Sequence, residues 1–160
     1  MNLGFSYIGL LYLLMLFIPN LFWTKHQPTG YEKYVVRENR ILGLFERVGE
    51  VLVCTAVLIF SDFNIGRIRP WSLVLAGSFL LMVLYEIYWI RYFRSEKRMK
   101  DFYSSLLGIP VAGATLPVAA FLLLAVYGRN PFLAAAAVIL GVGHIGIHAE
   151  HLREIKKECA

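Results

Sequence analysis

Glu46-Arg47-Val48-Gly49-Glu50 runs directly into Val51-Leu52-Val53-Cys54-Thr55-Ala56-Val57-Leu58-Ile59-Phe60, and the reading of this stretch decides the fold. Its uninterrupted apolar part, residues 51–60, rises about 15 Å as a helix, half of a hydrocarbon core of about 30 Å. A helix that crosses a membrane here must carry Glu46, Arg47 and Glu50 below the headgroups. Each such charge costs about 2.5–3.5 kcal/mol near the centre of a span, so the three side chains are expected against partner helices or water, away from lipid.

The rest of the chain fits that setting. Its 160 residues are 58% hydrophobic and 17% charged, and mean hydropathy is +0.60. Soluble domains lie nearer about 45–50% apolar and about 25% charged. The expectation is an all-α membrane protein in which residues 1–160 form a single integral membrane domain. Five apolar segments, residues 3–23, 42–61, 71–92, 105–127 and 131–149, each approach the roughly 20 residues a spanning helix needs. The first lacks a basic leader and a small-residue cleavage site, so it reads as a retained helix.

Breakers separate the segments. Asn64 and Gly66, in Asp62-Phe63-Asn64-Ile65-Gly66, offer a left-handed closure to the second helix, and Tyr127-Gly128 ends the fourth. Pro70 opens the third, while Asn130-Pro131 supplies an N-cap and a first-turn proline for the fifth. Loops this short predict antiparallel neighbours, hence a compact up-down bundle of five transmembrane helices.

Cations set the orientation, because cytoplasmic loops carry the excess of Lys and Arg. Lys25, Lys33, Arg37, Arg40 and Arg47 fall in or near the first loop, Arg91, Arg94, Lys97, Arg98 and Lys100 in the third, and Arg153, Lys156 and Lys157 in the tail. Only Arg67, Arg69 and Arg129 fall on the other side. The N-terminus is therefore expected outside and the C-terminus in the cytosol, in the plasma (inner) membrane. The basic stretch 91–101 is placed to meet anionic lipid at the cytosolic face. A net charge of +5 does not point to nucleic acid, since these cations punctuate apolar segments and form no basic domain. Two cysteines, Cys54 and Cys159, supply neither a disulfide framework nor a CxxC site.

Several local features carry further expectations. Thr29-Gly30-Tyr31-Glu32 fits a capping box and predicts a helix starting near Gly30; residues 30–40 either extend the second span or lie on the membrane surface. Gly108, Ala112, Thr115 and Ala119, and likewise Ala134, Ala137 and Gly141, form small-residue stripes suited to close helix packing, whether inside the bundle or in a homo-oligomer. Pro110 and Pro117 are expected inside the fourth helix as kinks.

The polar residues within the spans share one depth. Glu46 and Glu50 lie one turn apart on the second helix, Glu86 lies near the cytosolic end of the third, and His144 and His148 lie one turn apart on the fifth, with His151 a turn further. Arg47 and Arg91 are at similar depth and suited to neutralising the acids. Glu46, Glu50, Glu86, His144, His148, Arg47 and Arg91 thus form a candidate ligand site between the second, third and fifth helices, or a set of ion pairs that fixes packing. His144, His148 and Glu50 form a narrower candidate set for a divalent metal.

No motif assigns a catalytic residue, a reaction or a cofactor. Four histidines are too few for the histidine boxes of membrane desaturases, and the paired-Glu motif of isoprenylcysteine methyltransferases is absent. Three functions fit: binding or modifying a lipid-like or other small amphipathic molecule, small transport or proton-coupled carriage, and non-catalytic membrane assembly. The first accounts best for polar residues at inner-leaflet depth beside a basic rim and an aromatic belt.

Overall fold

Side-chain caps fix where three of the long helices begin. Ser6 accepts a hydrogen bond from the Gly9 amide at 2.9 Å, Asn39 from Ile41 at 2.9 Å, and Asn130 from Leu133 at 3.0 Å. Each satisfies an amide that the first turn would otherwise leave without a partner. The resulting elements, in a computed structural model that describes residues 1–158, are α1 (Tyr7–Thr24), α2 (Glu32–Val35), α3 (Arg40–Ile59), α4 (Ser72–Phe93), α5 (Met99–Phe102), α6 (Ala112–Tyr127) and α7 (Pro131–Glu158). A 3-10 turn covers Ser61–Phe63, and the described residues contain no strand.

Three helices, α1, α4 and α7, are long and apolar enough to cross a membrane. Helix α3 has 20 residues but carries the three charges of the Glu46–Glu50 stretch, and α6, with 16 residues, rises about 24 Å. Outer faces are apolar: Leu14 and Leu21 on α1, Leu44 and Val51 on α3, and Phe132 and Val138 on α7 are all exposed. Such continuous apolar exposure is what lipid contact requires and what water disfavours.

The long helices alternate in direction, because their loops gather at two ends. At one end Asn2 donates to Asp62, the Trp71 indole donates to Tyr127 O at 3.0 Å, and the Tyr127 hydroxyl donates to Asn64 O at 3.3 Å. At the other end the Tyr92 hydroxyl donates to His26 O at 2.6 Å, the Thr29 amide donates to Lys97 O, and the Tyr34 hydroxyl donates to Glu158 at 2.6 Å. Between them α3 packs on α7, α7 on α6 and α6 on α4. Helix α1 joins through a buried relay in which Tyr12 donates to Ser78 and Ser78 to Ala120 O.

The structure corrects several local expectations. The fourth apolar segment is helical only from Ala112; residues 106–109 form a tight turn with Gly108 at φ 80° and Leu107 at φ 51°. Pro110 therefore precedes α6 and Pro117 alone lies within it, so Gly108 is not part of a helical stripe. Proline disfavours helical conformation in the residue before it, which is why the helix waits until after Pro110. Helix α3 ends through extended Phe60 and the 3-10 turn, and Asn64 is extended, so no left-handed closure occurs at 62–66. The Thr29 capping box does not form: Tyr31 precedes α2 without a side-chain cap. Residues 36–39 then break the chain before Asn39 restarts it, so α2 does not extend α3. Cys54 is a free thiol, and Cys159 lies outside the described residues.

Candidate functional site

Helix α4 turns Tyr85, Tyr88, Trp89 and Tyr92 inward, the i, i+3, i+4, i+7 spacing of one buried face. Across from them α3 and α7 approach closely, and between the two walls lies a cavity of about 320 Å³. Its polar side is formed by Glu46, Glu50, His144 and His148, and Trp23, Tyr88 and Phe121 belong to its apolar side. Volume and lining suit a small amphipathic molecule: such sites are mostly apolar, with a few placed polar groups.

At the polar side His144 Nδ1 lies 2.5 Å from Glu46 Oε1, both side chains less than one-third exposed. One turn along α7, the His148 ring stands edge-on to His144 with centroids 4.7 Å apart. Tyr103, just after α5, places its hydroxyl 2.9 Å from His148 Nδ1 and 2.8 Å from His151 Nδ1. His151 is buried, and its Nε2 faces Glu38 Oε1 at 3.4 Å. Burial above all, and then neighbouring tyrosines and Glu38, hold the Tyr103 hydroxyl far above the ordinary phenol range, so it stays protonated. Burial likewise raises Tyr31, whose ring packs edge-on against Trp23 at 5.0 Å.

The expected residues do not all meet. Glu46, Glu50, His144 and His148 come together at the cavity. Glu86 does not join them: one position along α4 from buried Tyr85, it points about 100° away and lines a second cavity against α1, with Pro19, Phe22, His26 and Lys97. Arg91 is not an acid's partner; its guanidinium donates to Ser104 O at 2.9 Å and Ser105 O at 2.8 Å, securing the chain after α5. Arg47 is exposed, and the ion pairs of the described residues involve neither arginine. The expected pairing fails because peptide carbonyls satisfy Arg91 and because Glu46 finds an imidazole. Among the described residues no group of three or more His, Cys, Asp or Glu is placed to hold a metal ion, the set His144, His148 and Glu50 included.

Sequence reasoning did not assign Tyr103 or Glu38 to the site. Tyr103 falls in the aromatic belt at the inner interface, and no motif marks Glu38; the His144, His148, His151 spacing identifies their partners on α7 alone.

Glu38 gives the site a pH dependence. Burial first, and then the charge of Glu46, raise its carboxyl above the usual 4.5, with Arg47 opposing. A folded state that holds this proton more tightly than the unfolded chain gains stability below the unfolded value and loses it as pH rises through the folded value. Thermal unfolding in detergent is therefore expected to show a stability contribution that grows as pH falls toward 4.5, the unfolded value. Glu38→Gln should flatten this part of the profile; an unchanged slope would place the effect on another group.

A helical bundle with three helices able to cross a membrane, holding a partly open, aromatic-lined cavity that Glu46, Glu50, His144 and His148 also line, is the class this fold and site define. Comparison with known proteins finds no matching family model, no matching curated protein and no matching solved structure.

Proposed function

We propose that this chain is a five-span membrane protein, crossing through α1, α3, α4, α6 and α7, that binds or modifies a lipid-like or other small amphipathic molecule in the central cavity. The observation that carries the reading is the cavity itself: aromatic and aliphatic walls on most sides, and Glu46–His144 beside Glu50 and His148 on one. An acyl or polyprenyl portion would occupy the apolar part and a polar headgroup would meet the carboxylate-imidazole side. The Trp23 indole N–H, buried in the wall without a protein acceptor, supplies a donor for a ligand oxygen. With the C-terminus cytosolic, the polar side lies at inner-leaflet depth, where anionic lipid and the basic 91–101 segment meet.

Native mass spectrometry of detergent-purified protein tests this reading. Wild type should retain a bound lipid-sized adduct, and Ala114→Trp, which fills the cavity from a buried wall position on α6, should lose it. Glu50→Gln should leave thermal stability within about 0.5 kcal/mol of wild type, as expected for a residue outside any ion pair, while weakening retention of the adduct. Absence of an adduct in wild type, or equal retention in Ala114→Trp, would overturn the lipid-binding function.

A further inference from the structure

Tyr103 touches two imidazoles through the same ring position, Nδ1 of His148 and Nδ1 of His151. A phenol has one proton to donate, so one Nδ1 accepts it and the other must donate its own N–H to the phenol oxygen. A neutral imidazole carries a single N–H, so the two histidines are opposite tautomers. Two acceptors against His151, Glu38 and the Tyr34 backbone carbonyl, decide which is which. An ionised carboxylate only accepts, so Glu38, facing His151 Nε2, favours the proton on that nitrogen. His151 Nδ1 then accepts from Tyr103, and Tyr103 accepts from His148 Nδ1. His148 is left with a lone pair on Nε2, and His148 lines the cavity.

We propose that His148, Tyr103, His151 and Glu38 form a proton relay in which His148 acts as general base toward the occupant of the cavity and Glu38 receives the proton at the protein surface. The relay rests on the reading of the cavity as a ligand site. An acidic X–H bond of the ligand breaks, its proton joins His148 Nε2 and the electron pair stays on X. His148 Nδ1 passes its proton to the Tyr103 oxygen, Tyr103 passes its own to His151 Nδ1, and His151 Nε2 passes its own to Glu38. The ligand has lost one proton, Glu38 has gained one, and each bridging group holds as many as before. Both tautomers are now reversed, and the same steps run backward turn His148 into a general acid and reset the chain.

The surroundings suit that task. The high Tyr103 pKa means the phenol exchanges one proton for another without standing as an anion. The Tyr31 and Tyr34 rings pack against His151 at 5.9 and 5.7 Å, closing its sides. Glu38 is 27% exposed, enough to exchange its proton with water, and a short swing of its side chain brings the 3.4 Å separation to hydrogen-bond geometry. The other charges that act here are Glu46 of α3 and Glu154 of α7 on His151, Arg47 of α3 on Glu38, and the His144 ring beside His148.

Ring-¹⁵N nuclear magnetic resonance of histidine-labelled protein in lipid nanodiscs reads the relay directly, with or without a ligand. At pH 7.5 His148 is expected as the Nδ1–H tautomer in roughly tenfold excess, the scale of one hydrogen bond, with His151 as the Nε2–H tautomer. On acidification both should reverse together as Glu38 takes up its proton, and Glu38→Gln should abolish the joint reversal. Tyr103→Phe, which keeps the ring packed on Phe102, should uncouple the two histidines. The same tautomer at both positions in wild type, or independent titration of the two, would overturn the relay. Failure of the ligand reading appears instead as a missing lipid adduct, so the two failures are distinguishable.

Discussion

Gly143→Leu is expected to abolish the folded bundle, and Gly143→Ala to lower its unfolding temperature by roughly 10 °C, the scale of several kcal/mol of overpacking in a chain of this size. A methyl group at Gly143 would overlap the amide nitrogen of Glu46 and stand 2.6 Å from Leu42 O. One turn further along α3 the seam is reciprocated: a methyl at Gly49 would overlap the Leu140 backbone on α7. The obstructing atoms are main chain, held by helical hydrogen bonds, and no rotamer change relieves them. Forcing α3 and α7 apart also separates Glu46 from His144, so site and stability should be lost together.

Gly43→Ala provides the matched control on α3. A Cβ there meets no heavy atom within 4 Å, and alanine favours the helix by up to about 1 kcal/mol. Thermal unfolding of the three variants in one detergent should rank Gly43→Ala at or above wild type and both Gly143 variants well below. A Gly143→Ala protein that melts with wild type would show that α3 and α7 do not meet at this seam.

The seam shows how far periodicity alone reaches. Ala137 and Gly141 are legible as a small-residue face, and both are at helix contacts: Ala137 is fully buried and a Cβ at Gly141 would stand 3.0 Å from Val118 of α6. The tighter contact to α3 uses Gly143 and Gly49, which share no stripe on one helix, and pairing across helices is not encoded in single-helix spacing. Glu46, Glu50, His144 and His148 were legible as a group because one-turn spacing and common depth survive the fold. Glu86 was misplaced because depth along a helix does not specify azimuth; neighbouring Tyr85 and Trp89 claimed the inward face. Tyr103 and Glu38 were illegible for a different reason. They lie in turns, where no period predicts direction, and reach the site only because Arg91 fastens the segment after α5 and Asn39 restarts the chain before α3.

Reporter fusions after Phe63 and after Gly128 are expected to be extracytoplasmic, and fusions after Lys100 and after Ala160 cytosolic. Thirteen of the sixteen Lys and Arg residues lie in or near the first loop, the third loop and the tail, a bias that dominates orientation when loops are short. The packing at the sparse end is consistent with that assignment: Arg129 lies over the Trp71 ring at 5.4 Å, and the Trp71 indole donates to Tyr127 O. Those rings are amphipathic and suited to a headgroup interface, with the cation held at its outer edge. Helix α6 is the demanding element, since its rise of about 24 Å falls short of a hydrocarbon core of about 30 Å. For α6 to cross, the turn at 106–109, where Leu107 is exposed and apolar, must supply the missing length, with thinning of the bilayer absorbing the remainder at a modest cost. A cytosolic reporter after Gly128 would mean that α6 enters the membrane and returns. Helix α7 would then start on the cytosolic side, its Glu158 end could not share a side with the basic first loop, and the inner-leaflet placement of Glu46 and His144 would fall with it.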